Sequence, residues 1–249
     1  MNHKADLSVV IPAYNEAGRI GPTIETVSAY LSTRGIDYEI IVVSDGSTDS
    51  TDEVVGGCAK KDPRVKLISY HPNRGKGCAV RMGMLEARSD NVLFTDADLA
   101  TPISELETLE KRAANELDII VGSRALKESR IIGWRPWYRE LSGKVFNRVV
   151  RLLAVPVIRD TQCGFKYFRK GSASRIFSAA RLNGFGFDVE ALYLARKFGY
   201  RVGEVGVSWK NSPATKVSVM RDTLPMVCEI IRVRLNDWKK RYEVRSQNG

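Results

Sequence analysis

The chain has 249 residues, 43% of them hydrophobic and 27% charged, a composition typical of folded globular proteins that excludes disorder of the whole chain. Its formal net charge of +10 indicates an anionic partner, which could be nucleic acid, an anionic membrane or a phosphorylated substrate. Four scattered cysteines and two histidines argue against a disulfide framework, a zinc site and a Ser-His-Asp triad.

The first half of the chain alternates short apolar strands with helical segments. The predicted strands are Leu7–Pro12, Glu39–Ser44, Val65–Ser69, Val92–Thr95 and Asp118–Ser123. The predicted helices are Ile20–Leu31, Ser50–Lys61, Gly77–Ala87 and Ile103–Asn115. Ser50 and Glu53 have the spacing of a capping box. This order predicts an α/β fold, with a mostly parallel sheet flanked by helices, whose ligands bind beyond the carboxyl ends of the strands.

Polar residues follow the first two predicted strands, where that rule places a ligand. In the segment 12–16 (PAYNE), Tyr14 could stack on a base and Glu16 could accept hydrogen bonds from ribose or base. An ordinary strand-to-helix turn explains the same segment equally well. The second strand ends at Asp45, whose carboxylate could accept a hydrogen bond from a base, although a lone Asp here is more often a turn residue.

The fourth strand runs into Asp96-Ala97-Asp98. Two carboxylates one residue apart repel each other unless a cation lies close by, and hard oxygen ligands without His or Cys favour Mg²⁺ or Mn²⁺. Such a metal could bridge a diphosphate and neutralise charge on a leaving nucleotide. Asp-x-Asp alone is a weak signal, but its place directly after an apolar strand, following the segments at 12–16 and Asp45, strengthens it.

Several cations could reach the same edge of the sheet. Arg124 follows the fifth strand, Arg139 and Ser142 open a basic helix, and Lys216 lies in a polar loop. Cations near a diphosphate make charge-assisted contacts, although a solvated surface explains each of them as well. The loop 73–77 (NRGKG) matches neither a dinucleotide fingerprint nor a P-loop, and we predict a packing turn there.

Apolar residues recur at helical spacing in two basic segments of the second half. The first segment carries Leu141, Val145, Val149 and Leu152, and the second carries Val227, Ile231, Leu235, Trp238 and Tyr242. We therefore expect a main domain over residues 1–217 and a C-terminal amphipathic helix over residues 218–249 that contacts a membrane surface or a second subunit. Neither a secretory signal nor a membrane-spanning helix is predicted.

Six segments stand in the order seen in family 2 glycosyltransferases. They are Pro12–Glu16, Asp45–Ser47, Asn73–Gly77, Asp96–Asp98, Gly122–Arg124 and Asp160–Lys166. More narrowly, the set resembles the dolichyl-phosphate glucosyltransferase branch and its prokaryotic polyprenyl-phosphate relatives, which Phe187–Glu190 and Val207–Trp209 also fit. The similarity covers roughly residues 7–217.

This resemblance implies a GT-A fold with basic amphipathic helices in the C-terminal half, a nucleotide-sugar donor, Mg²⁺ or Mn²⁺, and inversion at the anomeric carbon. UDP-glucose is the favoured donor, while UDP-N-acetylhexosamine and GDP-mannose stay open. The implied acceptor is a polyprenyl or dolichyl phosphate. Because its phosphate is already an anion, it can attack the sugar without a strong general base.

Carried over by position, the resemblance also implies the site residues. Nucleotide binding is expected at Pro12, Ala13, Tyr14, Glu16, Asp45, Asp96 and Ala97. The metal is expected at Asp96 and Asp98, and catalytic roles at Asp98, Asp160 and Arg124. Acceptor and phosphate contacts are expected at Arg139, Ser142 and Lys216. Anchoring of the Gly164–Phe165 turn explains Asp160 as well as a catalytic role does.

Members of this branch commonly carry spanning helices, and none is predicted here. The lipid would then be met at the interface by basic helices, with Trp134, Trp137 and Tyr138 as interfacial aromatic residues. We expect a cytoplasmic protein, peripheral on the inner face of a membrane. Packing of the same apolar faces in a homodimer is the alternative.

Three other functions compete with this hypothesis. A family 2 enzyme with a soluble or polysaccharide acceptor would require a general base such as Asp160. A nucleotidyltransferase would require a glycine-rich, lysine-bearing start that is missing after Pro12. A basic nucleic-acid-binding module would explain the net charge but not paired carboxylates at the ligand edge, so no nucleic-acid partner is expected.

Overall fold

The computed structural model describes residues 5–133, 153–169, 171–210 and 219–243, together with residues 143, 147, 148, 150 and 151. The strands are β1 (Leu7–Ala13), β2 (Tyr38–Asp45), β3 (Val65–Tyr70), β4 (Val92–Thr95), β5 (Ile119–Ser123), β6 (Arg130–Ile132), β7 (Phe165–Phe168), β8 (Val202–Gly206) and β9 (Ser208–Lys210). The helices are α1 (Ala17–Thr33), α2 (Thr51–Lys61), α3 (Lys76–Glu86), α4 (Leu106–Ala113), α5 (Ser172–Ala179), α6 (Phe187–Lys197) and α7 (Val219–Trp238). A short 3₁₀ helix, Ile103–Glu105, precedes α4.

A seven-stranded sheet forms the centre of the molecule, in the order β3-β2-β1-β4-β7-β5-β8. All neighbouring strands are parallel except β7, which runs antiparallel to both β4 and β5. The prediction of a mostly parallel sheet flanked by helices is therefore confirmed. A second, two-stranded parallel sheet joins β6 to β9.

Alternate side chains of the buried strands divide the core between two faces of the sheet. On one face, Val9 and Ile11 of β1 pack with residues of α1, α2 and α4. On the other face, Val10 packs with residues of α3, α5, α6 and α7. Because both faces are covered, the central strands are apolar throughout, which is why the sequence shows continuous runs rather than alternation.

The predicted elements of the first half are all present, with ends that differ by a few residues. The predicted capping box is wrong. Ser50 precedes α2, but its side chain makes no capping hydrogen bond. The backbone N–H of Thr51 donates instead to Asp49 Oδ1 at 3.0 Å, because the turn before the helix presents this carboxylate to the first free amide.

Strand β7 lies in the middle of the sheet and was not predicted from the sequence, and neither were β6, β8, β9, α5 and α6. The four residues of β7 are buried, yet the second of them is Lys166, which interrupts the apolar run that marks the other central strands. The strand inserts between β4 and β5, which are consecutive in the chain except for α4. It thereby brings the segment 160–168 to the middle of the sheet.

Helix α7 packs on the domain through Ile230 and Val233, which are fully buried in the same core as α5 and α6. The carboxylate of Glu229 on this helix accepts the backbone N–H of Gly186 at 2.7 Å. Just beyond the helix, the buried Tyr242 hydroxyl donates to Glu190 Oε1 at 2.6 Å. These contacts join the end of the chain to α6 and to the loop before it.

The apolar residues of α7 therefore form two stripes instead of the single face that the sequence suggested. Ile231, Leu235 and Trp238 are 47%, 45% and 80% exposed, whereas Ile230 and Val233 face the core. Within the described part of the chain, no helix has both the length and the apolar character that a membrane span requires.

We predict that Gly83→Ala destabilises the protein. A Cβ at Gly83 of α3 would lie 2.5 Å from Val10 Cγ1 and 3.0 Å from Val43 Cγ2, so the helix would have to move away from the sheet. The expected loss in the free energy of unfolding is about 1–3 kcal/mol. Gly56→Ala in α2 is the matched control, because a Cβ there meets nothing within 4 Å. It should stabilise by about 0.5–1 kcal/mol. Urea unfolding of both variants measures this, and a Gly83→Ala protein as stable as wild type would contradict the packing.

Candidate active site

The turn after β4 presents Asp96 and Asp98 at the carboxyl end of the central strands. Leu99 adopts the left-handed conformation (φ 44°), and the Ala100 N–H donates to Asp98 Oδ1 at 3.0 Å. The Thr23 hydroxyl of α1 donates to the Ala97 carbonyl oxygen at 2.7 Å. The turn is thus fixed from both sides, and the two carboxylates are held at the predicted ligand edge.

Gly164 is required for the position of Asp96. A Cβ at Gly164 would lie 1.8 Å from Asp96 Oδ2, so any other residue would displace the carboxylate. The Asp96 N–H donates to the Gly164 carbonyl oxygen at 3.1 Å. From the sequence, Gly164 is predicted only as part of a turn, and its contact with Asp96 is not predicted, because strand β7, which follows it, is not recognised.

Electrostatics at this turn favour a bound cation. Burial, followed by the neighbouring charge of Asp96, raises the pKa of Asp98 above its ordinary value. The Lys76 ammonium lies 2.7 Å from Asp96 Oδ1 and acts as a cation already in place. Burial would lower the pKa of Lys76, but the charges of Asp96 and then Asp188 outweigh it and raise that pKa.

The donor set fits Mg²⁺ or Mn²⁺. It consists of carboxylate oxygens, the ligands that these ions prefer, and a cationic side chain occupies the space beside one of them. In the described ranges, no cluster of three or more His, Cys, Asp and Glu side chains could hold a metal. Asp96 and Asp98 would therefore need further oxygen ligands from water or from a bound diphosphate.

Arg124 and Asp160 form a buried bidentate pair next to this turn. Arg124 Nε and Nη2 donate to the two Asp160 oxygens at 2.7 and 2.8 Å, and the Arg124 backbone N–H adds a third bond at 2.9 Å. The guanidinium also lies 5.5 Å from the centroid of the Trp209 ring. Asp160 thus contacts Arg124 rather than the Gly164–Phe165 turn, and it fixes the direction of the arginine.

The charge state of Asp160 follows from this pair. Burial alone would raise the pKa of the carboxyl, but the guanidinium outweighs burial and holds that pKa below its ordinary value. Both oxygens accept hydrogen bonds from an arginine that itself stays protonated. A carboxylate in this state positions a cation, and it could act as a base only after the pair separates.

Asp45 organises the loop 73–77. Its two oxygens accept hydrogen bonds at 2.8–2.9 Å from the Tyr70 hydroxyl, the Asn73 side-chain amide and the backbone N–H groups of Arg74 and Gly75. These four donors match the acceptor capacity of an ionised carboxylate. The loop in turn begins α3 and sets the position of Lys76, and a contact of Asp45 with a nucleoside stays a prediction.

The loop 73–77 is a packing turn, as predicted. Gly75 and Gly77 lie so close to the segment 182–184 that a Cβ on either would come within 2.5–2.8 Å of its backbone. The Gly77 N–H donates to the Asn183 carbonyl oxygen at 2.7 Å. The loop that contains residues 182–184 is also held by Glu229 of α7, which accepts a hydrogen bond from the Gly186 N–H.

The segment after β1 lies against the segment after β2. The Glu16 N–H donates to the Thr51 hydroxyl at 2.8 Å, and the Thr48 N–H donates to Asn15 Oδ1 at 2.7 Å. Glu16 also forms an ion pair with Arg19. Tyr14 is 41% exposed at this edge, whereas Pro12 and Ala13 are buried at the end of β1 and Ala97 is buried beside them.

A second buried ion pair lies near the turn that carries Asp96 and Asp98. Lys166 of β7 is 1% exposed, and its ammonium donates to the Cys163 carbonyl oxygen at 2.6 Å and to Asp188 Oδ1 of α6. Burial raises the pKa of Asp188, and Lys166 then Lys76 partly oppose that rise. This pair is not predicted from the sequence, because a lone charged residue in an apolar run does not reveal its partner.

The structure thus brings Asp96, Asp98, Arg124 and Asp160 together, with Tyr14, Glu16 and Asp45 along the same edge of the sheet. The predicted acceptor residues Arg139, Ser142 and Lys216 lie outside the described residues. So do the aromatic residues Trp134, Trp137 and Tyr138.

Comparisons with known proteins agree with this geometry. Residues 8–177 match the family described as Glycosyl transferase family 2. The dolichyl-phosphate beta-glucosyltransferase of Drosophila melanogaster is 41% identical over 234 residues, which are 89% of this chain and 72% of that protein. The Homo sapiens protein of the same name is 38% identical over 242 residues, 92% of this chain and 75% of that protein.

The fold is shared with a solved glycosyltransferase. The crystal structure of glucosyl-3-phosphoglycerate synthase from Mycobacterium tuberculosis, in complex with Mn²⁺, UDP-glucose and phosphoglyceric acid, superposes with a TM-score of 0.64. The two sequences are 18% identical, and the match covers 98% of this chain and 81% of that one. The expected GT-A fold is confirmed.

We predict that Asp160→Asn lowers the free energy of unfolding by about 3 kcal/mol at pH 7, because it leaves the mostly buried Arg124 without its counter-charge. A lowered folded-state pKa means that the carboxylate stabilises the protein above its unfolded pKa of about 4 and that this contribution is lost as the pH falls further. The difference between wild type and variant should therefore shrink below pH 4.

Urea unfolding at pH 7 and at several values down to pH 3 measures this difference. Asp62→Asn is the control, because Asp62 pairs with the more exposed Arg64 and should change stability by less than about 1 kcal/mol. Equal stability of Asp160→Asn and wild type at pH 7 would refute a structural role for the Arg124–Asp160 pair.

Proposed function

This chain belongs to glycosyl transferase family 2, and we propose that it transfers glucose from UDP-glucose to dolichyl phosphate or a related polyprenyl phosphate. The observation that carries this proposal is the 38–41% identity, over about nine tenths of the chain, to enzymes named dolichyl-phosphate beta-glucosyltransferase. The strand-edge site supports it, because the matched segments are those that build the site.

In this proposal the donor lies across the carboxyl ends of β1, β2 and β4. Tyr14 and Glu16 contact the nucleoside, and Asp96 and Asp98 hold the divalent metal together with the diphosphate. When bound, that metal neutralises the charge that develops on the departing nucleotide. Arg124 points a fixed positive charge at the same region, because Asp160 holds its guanidinium and removes its freedom to reorient.

The state of the acidic side chains favours a phosphate acceptor over a hydroxyl acceptor. A sugar hydroxyl would need a general base, but three acids described at the site are held by cations, and Asp45 already accepts four hydrogen bonds. Asp160 pairs with Arg124, Asp188 with Lys166, and Asp96 with Lys76. A phosphate oxygen needs no deprotonation at neutral pH, so alignment and charge stabilisation suffice.

Helix α7 is the proposed surface for a lipid interface. Its exposed stripe of Ile231, Leu235 and Trp238 is flanked by the exposed cations Arg232, Arg234, Lys239, Lys240 and Arg241. Leu235 also lines a groove with Arg181, Arg232, Lys239 and Arg241. These four cations give the groove a positive charge that would attract an anionic lipid headgroup. Apolar area together with basic charge is the combination that binds a helix to the surface of an anionic membrane.

We predict that purified protein moves radiolabelled glucose from UDP-glucose into the organic phase when a short polyprenyl phosphate and Mn²⁺ are present, and not with EDTA. Asp98→Ala should lower transfer at least about a hundredfold while its unfolding curve stays cooperative, because a charge-stabilising contact at the reacting diphosphate is lost. Asp62→Ala is the control and should keep full activity, because Asp62 lies just before β3, at the amino end of the strands and away from the site.

If the donor is hydrolysed and the lipid is not labelled, the acceptor is not this lipid, and the alternative family 2 function with a soluble acceptor is favoured. Wild-type turnover by Asp98→Ala would refute the metal assignment. If another nucleotide sugar labels the lipid and UDP-glucose does not, the lipid acceptor is correct and the proposed sugar is wrong.

We also predict that the wild-type protein co-sediments with vesicles rich in anionic phospholipid. A triple variant (Ile231→Ser, Leu235→Ser, Trp238→Ser) should stay in the supernatant. Loss of three apolar contacts should weaken partitioning by more than about tenfold. Leu85→Ser is the matched control, because Leu85 is similarly exposed (44%) but lies in α3, away from the proposed lipid surface of α7. If the triple variant instead changes the sedimentation coefficient from dimer to monomer without lipid, the stripe is a subunit contact.

A further inference from the structure

Lys76 already occupies the space beside a proposed metal ligand. Its ammonium lies 2.7 Å from Asp96 Oδ1, and its side chain is 27% exposed. The same ammonium lies 5.6 Å from the centroid of the Phe94 ring and 5.9 Å from that of Phe187, so aromatic faces bound it on the side away from solvent. A metal that approaches Asp96 therefore meets a resident positive charge.

A second carboxylate, that of Asp188, also acts on the charge of Lys76. Asp188 follows Phe187 in α6 and is buried, and one of its oxygens accepts a hydrogen bond from Lys166. The Lys166 ammonium itself lies 5.6 Å from the centroid of Phe94, the same distance as the Lys76 ammonium. After Asp96, Asp188 is the charge that most strongly favours the protonated form of Lys76 and raises its pKa.

The backbone that carries Lys76 is fixed, so only its side chain can move between these partners. The Gly75 N–H donates to Asp45 Oδ2 at 2.9 Å, and the Gly77 N–H donates to the Asn183 carbonyl oxygen at 2.7 Å. A Cβ on either glycine would clash with the backbone of residues 182–184. A lysine side chain has four rotatable bonds, so its ammonium can change partners while its Cα stays fixed.

We propose that Lys76 is the resident counter-ion of Asp96 and that a divalent metal binds only by displacing its ammonium toward Asp188. This inference rests on the proposed function, since it deepens the account of the same metal site. Without a bound nucleotide sugar, Asp96 is already paired with Lys76, so a metal ion binds there only weakly. A diphosphate adds anionic ligands for the metal, and together they outcompete the lysine. Metal and nucleotide sugar should accordingly bind as a unit.

The test is Mn²⁺ binding without nucleotide, read from the electron paramagnetic resonance signal of free Mn²⁺. Lys76→Met keeps the length of the side chain but removes its charge, and we expect it to bind Mn²⁺ about five- to tenfold more tightly than wild type. That range corresponds to removal of a partly exposed, charged hydrogen bond. Lys60→Met on the opposite face of the sheet is the control and should match wild type.

Asp188→Asn tests the second half of the proposal. With its alternative partner weakened, Lys76 should hold Asp96 more firmly, so Mn²⁺ binding should weaken severalfold. In the Lys76→Met background, the same substitution should have no effect, because no ammonium remains to be shared. Thermal unfolding checks that each variant is folded, and if Asp188→Asn is not, because Lys166 loses its counter-charge, Lys76→Met alone decides.

Equal or weaker Mn²⁺ binding by Lys76→Met would overturn the inference, as would an effect of Asp188→Asn that persists in the double variant. The measurement needs neither sugar nor acceptor, so a different transfer reaction would leave its outcome intact. Wild-type Mn²⁺ binding in the presence of UDP is read in parallel. Its absence would contradict the metal site of the proposed function itself, independently of the behaviour of Lys76.

Discussion

Like charges crowded at the carboxyl ends of the central strands are the constraint on which the rest of this structure depends. Carboxylates in a partly buried site repel each other and lose hydration, so each must be matched by a cation or by hydrogen-bond donors, or be protonated. The protein matches them by side chains from distant parts of the chain. The pairs are Lys76 with Asp96, Arg124 with Asp160, and Lys166 with Asp188. Asp98 forms no ion pair with another described side chain, and its pKa is raised.

Strand β7 is the means by which this balance is reached. As an antiparallel strand between β4 and β5, it carries Lys166 to Asp188, and the segment just before it carries Gly164 to Asp96 and Asp160 to Arg124. A purely parallel sheet would have put β5 directly beside β4 and left no element to deliver these groups. The irregular strand is therefore what turns a common α/β sheet into this particular site.

The sequence predicts the parts of the molecule that depend on local patterns. The five strands and four helices of the first half are marked by apolar periodicity and turn residues, and Asp96 and Asp98 are marked by their place after a strand. Long-range pairing was not predictable in this way. Lys166 reads as a break in an apolar run until Asp188 is seen beside it, and nothing in the spacing of Asp160 reveals that Arg124 takes both of its oxygens. In α7, both apolar stripes have helical spacing, and only packing decides which one faces the core.

The contact of Glu229 with Gly186 has a consequence for how the protein is made. Synthesis proceeds from the N-terminus, and the first 125 residues contain β1, β2, β4, the loop 73–77 and the paired aspartates. That loop rests on the segment 182–184, and the carboxylate of Glu229, which fills the space beside Gly184 and Gly186, holds this segment from the other side. The loop 73–77 is therefore fully supported only after the last helix has left the ribosome. A nascent chain halted before α7 would carry Lys76, Asp96 and Asp98 and still lack part of the support that positions Lys76.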